Sequence, residues 1–139
     1  MKITQETLTV GTRGRDFHDL SSMVSAIVTK SGVQTGLCTV FVQHTSASLL
    51  IQENADPSVL RDLARWLGKL APEDSRAYEH DAEGPDDMPS HLKAAMTRTS
   101  ESIPIVSGKL ALGTWQAIYL VEHRSAPHGR RVIVHVTGL

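Results

Sequence analysis

The chain of 139 residues is long enough to bury one substantial core. Its 40% apolar and 21% charged composition excludes a disordered or fibrous protein. A net charge of −1 offers no general attraction to nucleic acid or anionic membrane, and no apolar run has the length of a membrane span. The lone cysteine, Cys38, cannot form an internal disulfide and fits a reducing compartment. A cytoplasmic protein without nucleic-acid or membrane partners is therefore expected, and the opening MKITQETLTV lacks the apolar stretch of a signal peptide.

Lys2 to Val10, rich in Thr, reads as an edge strand. A helix starts near Asp19-Leu20-Ser21-Ser22, with Leu20, Val24, Ile27 and Val28 on one face, and Lys30 to Gly36 form a turn. Leu37 to Glu53 is β-rich, with small hydroxyl residues in its middle. Asp56-Pro57 opens the clearest helix, an N-cap acid followed by proline, and Leu60, Leu63, Trp66, Leu67 and Leu70 form its apolar stripe. An acidic loop and a short helix from about Pro89 to Thr97 follow. Strands around Ile103 to Val106, Thr114 to Glu122 and Arg131 to Thr137 complete one domain, residues 1–139. Strands interrupted by separate helices, without βαβ alternation, predict an α+β fold with a mostly antiparallel sheet.

Strand alternation draws attention to three residues. Cys38, Val40, Val42 and His44 share one face; so do Trp115, Ala117, Tyr119, Val121 and His123; and so do Ala47, Leu49, Ile51 and Glu53. Each apolar row ends in a group able to bind metal or move a proton. If those ends meet at one rim of the sheet, His44, Glu53 and His123 converge on a pocket mouth. The loop Tyr78 to His91, with five carboxylates and two imidazoles, would close over it. Thr45 and Ser46 place hydroxyls beside His44, while Asp86 and Asp87 precede a helix. Arg124, Arg130 and Arg131 offer fork-shaped donors to phosphate. His-Glu-x-x-His, Cys-x-x-Cys, Walker and Rossmann patterns are all missing, so any metal site must be assembled from remote segments. Imidazole and carboxylate ligands suit zinc, manganese or iron.

QHTSASL at Gln43–Leu49, ENADP at Glu53–Pro57, YEHDAEGPDDMPSHLK at Tyr78–Lys93 and GTWQAIYLVEHR at Gly113–Arg124 together resemble the YjbQ family of small proteins. Members are sometimes labelled secondary thiamine-phosphate synthases. The resemblance runs over nearly the whole chain and implies a β-sandwich-like α+β fold, a homotrimer and a His/Asp-lined site near subunit boundaries. It further implies a weak transferase activity that couples a pyrimidine diphosphate to a thiazole phosphate. His44, Glu53, Asn54, Asp56, His80, Asp86, Asp87, His91 and His123 occupy its motif positions, whereas Ala117 stands where the family pattern has Gly. His128 lies beyond the fixed part of the pattern.

The expectation is thus a metal and phosphate site for a small phosphorylated metabolite. His44, His91 and His123 are the expected ligands of a divalent metal, with zinc first and manganese, iron or magnesium after it. His80, Glu53 and Asp87 take the catalytic roles. Thr45, Ser46, Asn54, Asp56, Asp86, Arg124 and Arg131 bind the anionic substrate. A module that binds the same metal or metabolite without turnover would use the same residues.

Overall fold

The computed structural model describes Met1–Leu139. Eight strands form two sheets, and every pairing is antiparallel. The larger sheet has the order β1 (Lys2–Gly11), β8 (Gly129–Gly138), β3 (Thr35–Val42), β5 (Ser100–Val106) and β6 (Lys109–Leu110). The smaller has the order β2 (Asp16–Asp19), β7 (Gln116–Glu122) and β4 (Ala47–Glu53). Three α-helices cover them: α1 (Ser21–Ser31), α2 (Pro57–Leu70) and α3 (Asp87–Met96). No helix is long and apolar enough to cross a membrane.

β-Branched alternation explains the core. Val132, Val134 and Val136 of β8 and Cys38, Val40 and Val42 of β3 point inward, meeting Leu49 of β4 and Ile118 and Leu120 of β7. α1 closes the space between the sheets with Val24, Ile27 and Val28, and Gly32 ends it with a left-handed φ of 72°. β1 pairs on one side only, as expected of an edge strand.

The structure splits the β-rich run Leu37–Glu53 into two strands that belong to different sheets, with residues 43–46 as the crossing. α2 starts where Asp56-Pro57 predicts, with the Asp56 carboxylate accepting from Ser58 N at 2.9 Å. Its apolar stripe, however, does not join the main core. Only Leu67 is buried, while Trp66 and Leu70 are at least half exposed. α2 lies outside the small sheet, over a cavity that Leu60 and Leu67 help to line.

Leu120→Ala should therefore destabilise the fold by about 3 kcal/mol and Trp66→Ala by less than about 1 kcal/mol. Urea unfolding of the two variants checks this, and comparable losses would put α2's stripe back into the core.

Candidate metal centre

The β4–β7 register decides which predicted residues can meet. Glu53 lies opposite Gln116, at one end of the small sheet, whereas Ala47 lies opposite Glu122 at the other. His44, Thr45 and Ser46 immediately precede Ala47, and His123, Arg124 and Ser125 immediately follow Glu122. Glu53 therefore cannot converge with His44 and His123, and it stands at the far rim. There its carboxylate accepts from Asp56 N at 3.1 Å, Asn54 N donates to Trp115 O, and Asp56 caps α2. The structure assigns Glu53, Asn54 and Asp56 to the helix entry, away from the other predicted site residues.

At the opposite rim the strand phase separates Glu122 from His123. Glu122 shares its parity with Ile118 and Leu120, which face the core, and is almost completely buried. Arg130 Nε donates to its Oε1 at 2.8 Å, Thr12 Oγ1 to the same oxygen at 2.7 Å, and Arg124 N to Oε2 at 3.1 Å. Those donors hold the Glu122 carboxyl below its usual range despite burial. Arg130 also donates to the Ser46 carbonyl and hydroxyl, which fixes the 43–46 crossing. Beside it, His44 Nε2 accepts from Arg131 N at 2.8 Å. Burial, then the nearby Arg130 charge, pushes the His44 pKa down. With its Nε2 lone pair committed to the backbone, His44 serves as a structural acceptor.

His123 turns to the other face of β7. Its Nε2 accepts from Ser48 Oγ at 2.8 Å, and Ser48 in turn accepts from Thr97. Burial, reinforced by the Lys93 charge, brings His123 down to about 4, so the ring is neutral at physiological pH. Ser90 binds its hydroxyl to the carbonyls of both Asp86 and His123, pinning α3 to the end of β7.

The acidic loop and the first turns of α3 make a different cluster. Asp87 is 2% exposed, and its Oδ2 lies 2.6 Å from His80 Nε2 and 3.1 Å from His91 Nε2. These three ligand atoms lie within 4.8 Å of one another. Asp87 and His91 are four apart on α3, hence on one face, and the loop brings His80 to them. Arg124 reaches both acids, Nη1 donating to Asp87 Oδ1 at 2.6 Å and Nε to Asp86 Oδ2 at 3.1 Å. Ser125 N also donates to Asp86 Oδ2, at 2.8 Å. Although burial alone would raise it, this set of donors lowers the Asp86 carboxyl to about 2. The Asp87 carboxyl is lowered against the same burial effect, first through His80 and then through His91 and Arg124.

Of the expected ligands His44, His91 and His123, then, only His91 joins this group, and its companions are the expected catalytic residues His80 and Asp87. Thr45 contributes a carbonyl that accepts from His91 Nδ1 at 2.9 Å. Arg124 is committed to Asp86, Asp87 and the Glu83 carbonyl, so it orients the acids instead of waiting for phosphate. Arg131 is exposed at the rim. Sequence reasoning overlooked Lys93, which is buried on the inner side of α3; the spacing Ser90, Lys93, Thr97 was its available signal.

The family comparisons agree with this architecture. The model of the UPF0047 protein YjbQ-like family matches residues 6–139. UPF0047 protein sll1880 of Synechocystis sp. is 60% identical over 96% of this chain and 91% of its own length. UPF0047 protein YjbQ of Escherichia coli O157:H7 is 42% identical over 96% and 97%. A crystal structure of a YbjQ-like protein of unknown function from Sulfolobus solfataricus P2 aligns at TM-score 0.90 and 28% identity, covering 99% of both chains. Another, of an uncharacterized conserved YjbQ/UPF0047 family protein from Clostridium acetobutylicum, aligns at TM-score 0.85 and 38% identity, covering 96% and 99%.

Acid should weaken the fold through the buried imidazole. With His123 at about 4 when folded and near 6.5 when unfolded, the unfolded chain binds more protons between those values, so stability falls as pH drops through that window. The loss is on the order of 3 kcal/mol from His123, and Asp86, lowered to about 2, extends it below pH 3.8. Urea unfolding at pH 7 and near pH 4.5 should show this dependence reduced in His123→Gln; an unchanged dependence would contradict the assignment.

Proposed function

The chain belongs to the UPF0047 YjbQ-like family, and we propose that it works as a divalent-metal protein whose ligands are His80, Asp87 and His91. One observation carries this reading. His91 donates Nδ1–H to the Thr45 carbonyl, so in its neutral form the ring turns the Nε2 lone pair toward the Asp87 Oδ2 carboxylate oxygen at 3.1 Å. Two electron-rich atoms at that distance call for a cation, either a proton or a metal, and His80 Nε2 points at the same oxygen. A carbonyl holding the far nitrogen of an imidazole is the usual support of a metal ligand. Arg124 steadies the free oxygen of Asp87 in the same way. Two imidazoles and a carboxylate suit zinc first, with manganese and iron next, and three protein ligands leave room for a substrate. Magnesium, which prefers an all-oxygen shell, fits this donor set less well.

The substrate proposed is a small phosphorylated metabolite, and the candidate reaction is the coupling of a pyrimidine diphosphate to a thiazole phosphate. A metal at this site would supply charge neutralisation for a departing diphosphate. The chain's own part is to orient Asp87 through Arg124, to fix the His91 tautomer through Thr45 and to offer Arg131 at the rim. Glu53 is too remote to share in proton transfer. A homotrimer is also proposed: the outward face of the large sheet leaves Leu37 and Phe41 at least 40% exposed, more than an isolated chain usually presents there. The buried, lone Cys38 is consistent with a cytoplasmic setting.

Calorimetric titration with zinc should give one site per chain. Asp87→Asn and His91→Ala should weaken it by about 10- to 100-fold or more, while His44→Gln and His123→Gln should leave it unchanged. Acidification should weaken binding because protons compete for the imidazoles. Equal losses in His123→Gln would overturn the ligand set. Metal uptake without thiamine phosphate formation from the two precursors would favour the non-catalytic binding module.

A further inference from the structure

A second group of unmet polar requirements lies on the opposite side of α3. Lys93 is 6% exposed, yet its ammonium makes neither an ion pair nor a hydrogen bond within the chain. The Lys93 side chain is thus largely enclosed while its ammonium has no carboxylate or acceptor of this chain on it, an arrangement that an anion would complete. The Lys93 side chain borders a cavity of about 350 Å³ between α2 and the small sheet. Phe17, Leu60, Leu67 and Val121 give that cavity an apolar wall. Such a volume, with a mostly apolar lining and a few convergent polar groups, is typical of small-molecule sites.

The other charged groups around the cavity define the sign of the missing partner. Arg15 is paired with Glu73 at 2.6 Å, and Glu122 is neutralised by Arg130. Asp16, exposed, accepts from Phe17 N at 2.8 Å, while Arg61 at the rim has no ion pair. His123, hydrogen-bonded to Ser48, borders the space as a neutral ring. Lys93 and Arg61 against Asp16 leave one uncompensated positive charge.

We propose that this cavity binds a small organic anion: a carboxylate or phosphate group that meets the Lys93 ammonium, carried on a ring-sized apolar body lying against Phe17, Leu60, Leu67 and Val121. Arg61 guards the entrance and adds a second donor. This site is distinct from the proposed metal centre, because Lys93 and His91 are two residues apart on α3 and so point in nearly opposite directions.

The test titrates the full chain with phenyl phosphate, benzoate and benzylamine, with and without EDTA, and repeats the titration on His80→Ala. Either anion should saturate one site, benzylamine should not, and neither EDTA nor His80→Ala should alter the result. A preference for phenyl phosphate identifies a phosphate ligand, and a preference for benzoate a carboxylate ligand. Lys93→Met should weaken the anion by at least about tenfold, with the charge-assisted contact gone, while melting no lower than wild type. Arg61→Ala, at an exposed position, should weaken it more modestly and keeps the test valid even if Lys93→Met fails to fold. Saturation should also shift the His123 ring protons in NMR spectra. The proposal is overturned if neither anion saturates below about 10 mM, if both variants bind like wild type, or if EDTA abolishes binding and so transfers the ligand to the metal centre.

Discussion

The working end of the molecule depends on a buried carboxylate. Glu122 closes the inward face of β7, 1% exposed, where an unpaired charge would be untenable. Its oxygens are instead met by Arg130, Thr12 and the Arg124 amide, so the acid joins β8, the β1–β2 connection and the segment after β7. Removing one partner of such a pair characteristically costs about 3–5 kcal/mol, since the other is left charged and dry. Through Arg130 the same network reaches Ser46 and sets the crossing from one sheet to the other. Through the fixed backbone of Arg124 it aims a guanidinium at Asp86 and Asp87. The polar apparatus of the rim is thus built outward from one core position.

Placing consecutive residues on opposite faces then gives this rim two separate chemistries. Glu122 turns inward and His123 outward, and α3 packs over the outward side through Ser90. α3 repeats the division on its own surface. Asp87 and His91 look toward the acidic loop, where His80 joins them, while Lys93 and His123 border the apolar cavity below α2. The electrostatics differ accordingly. The loop side presents a carboxylate between two imidazoles, a setting for a cation. The cavity side presents the unpaired ammonium of a largely buried lysine beside a neutral ring, a setting for an anion.

Local chemistry made part of this legible in advance. Asp56-Pro57 announces α2, the 3.6-residue spacing of Leu20, Val24, Ile27 and Val28 announces the buried face of α1, and antiparallel α+β architecture follows from the absence of βαβ alternation. The concentration of acid and histidine between Tyr78 and His91 likewise marks the segment that holds the cluster. Strand-end reasoning failed for a specific reason. Alternation tells which residues share a face, but not which strands are neighbours or how they are registered, and the antiparallel β4–β7 pairing sends Glu53 to the far rim. Nor does alternation say which face meets the main core, so His44 and His123 looked alike although one rivets a backbone amide and the other a serine. Lys93 was hidden because a lysine on an amphipathic helix is ordinarily solvated.

The central claim is that His80, Asp87 and His91 form a cation site. Anomalous diffraction at the zinc absorption edge, from crystals grown with zinc, tests it most directly. The account requires one strong peak per chain bounded by His80 Nε2, Asp87 Oδ2 and His91 Nε2, with the Thr45 carbonyl still holding His91 Nδ1. No peak among these atoms, or a peak at His44 or His123 instead, would contradict it.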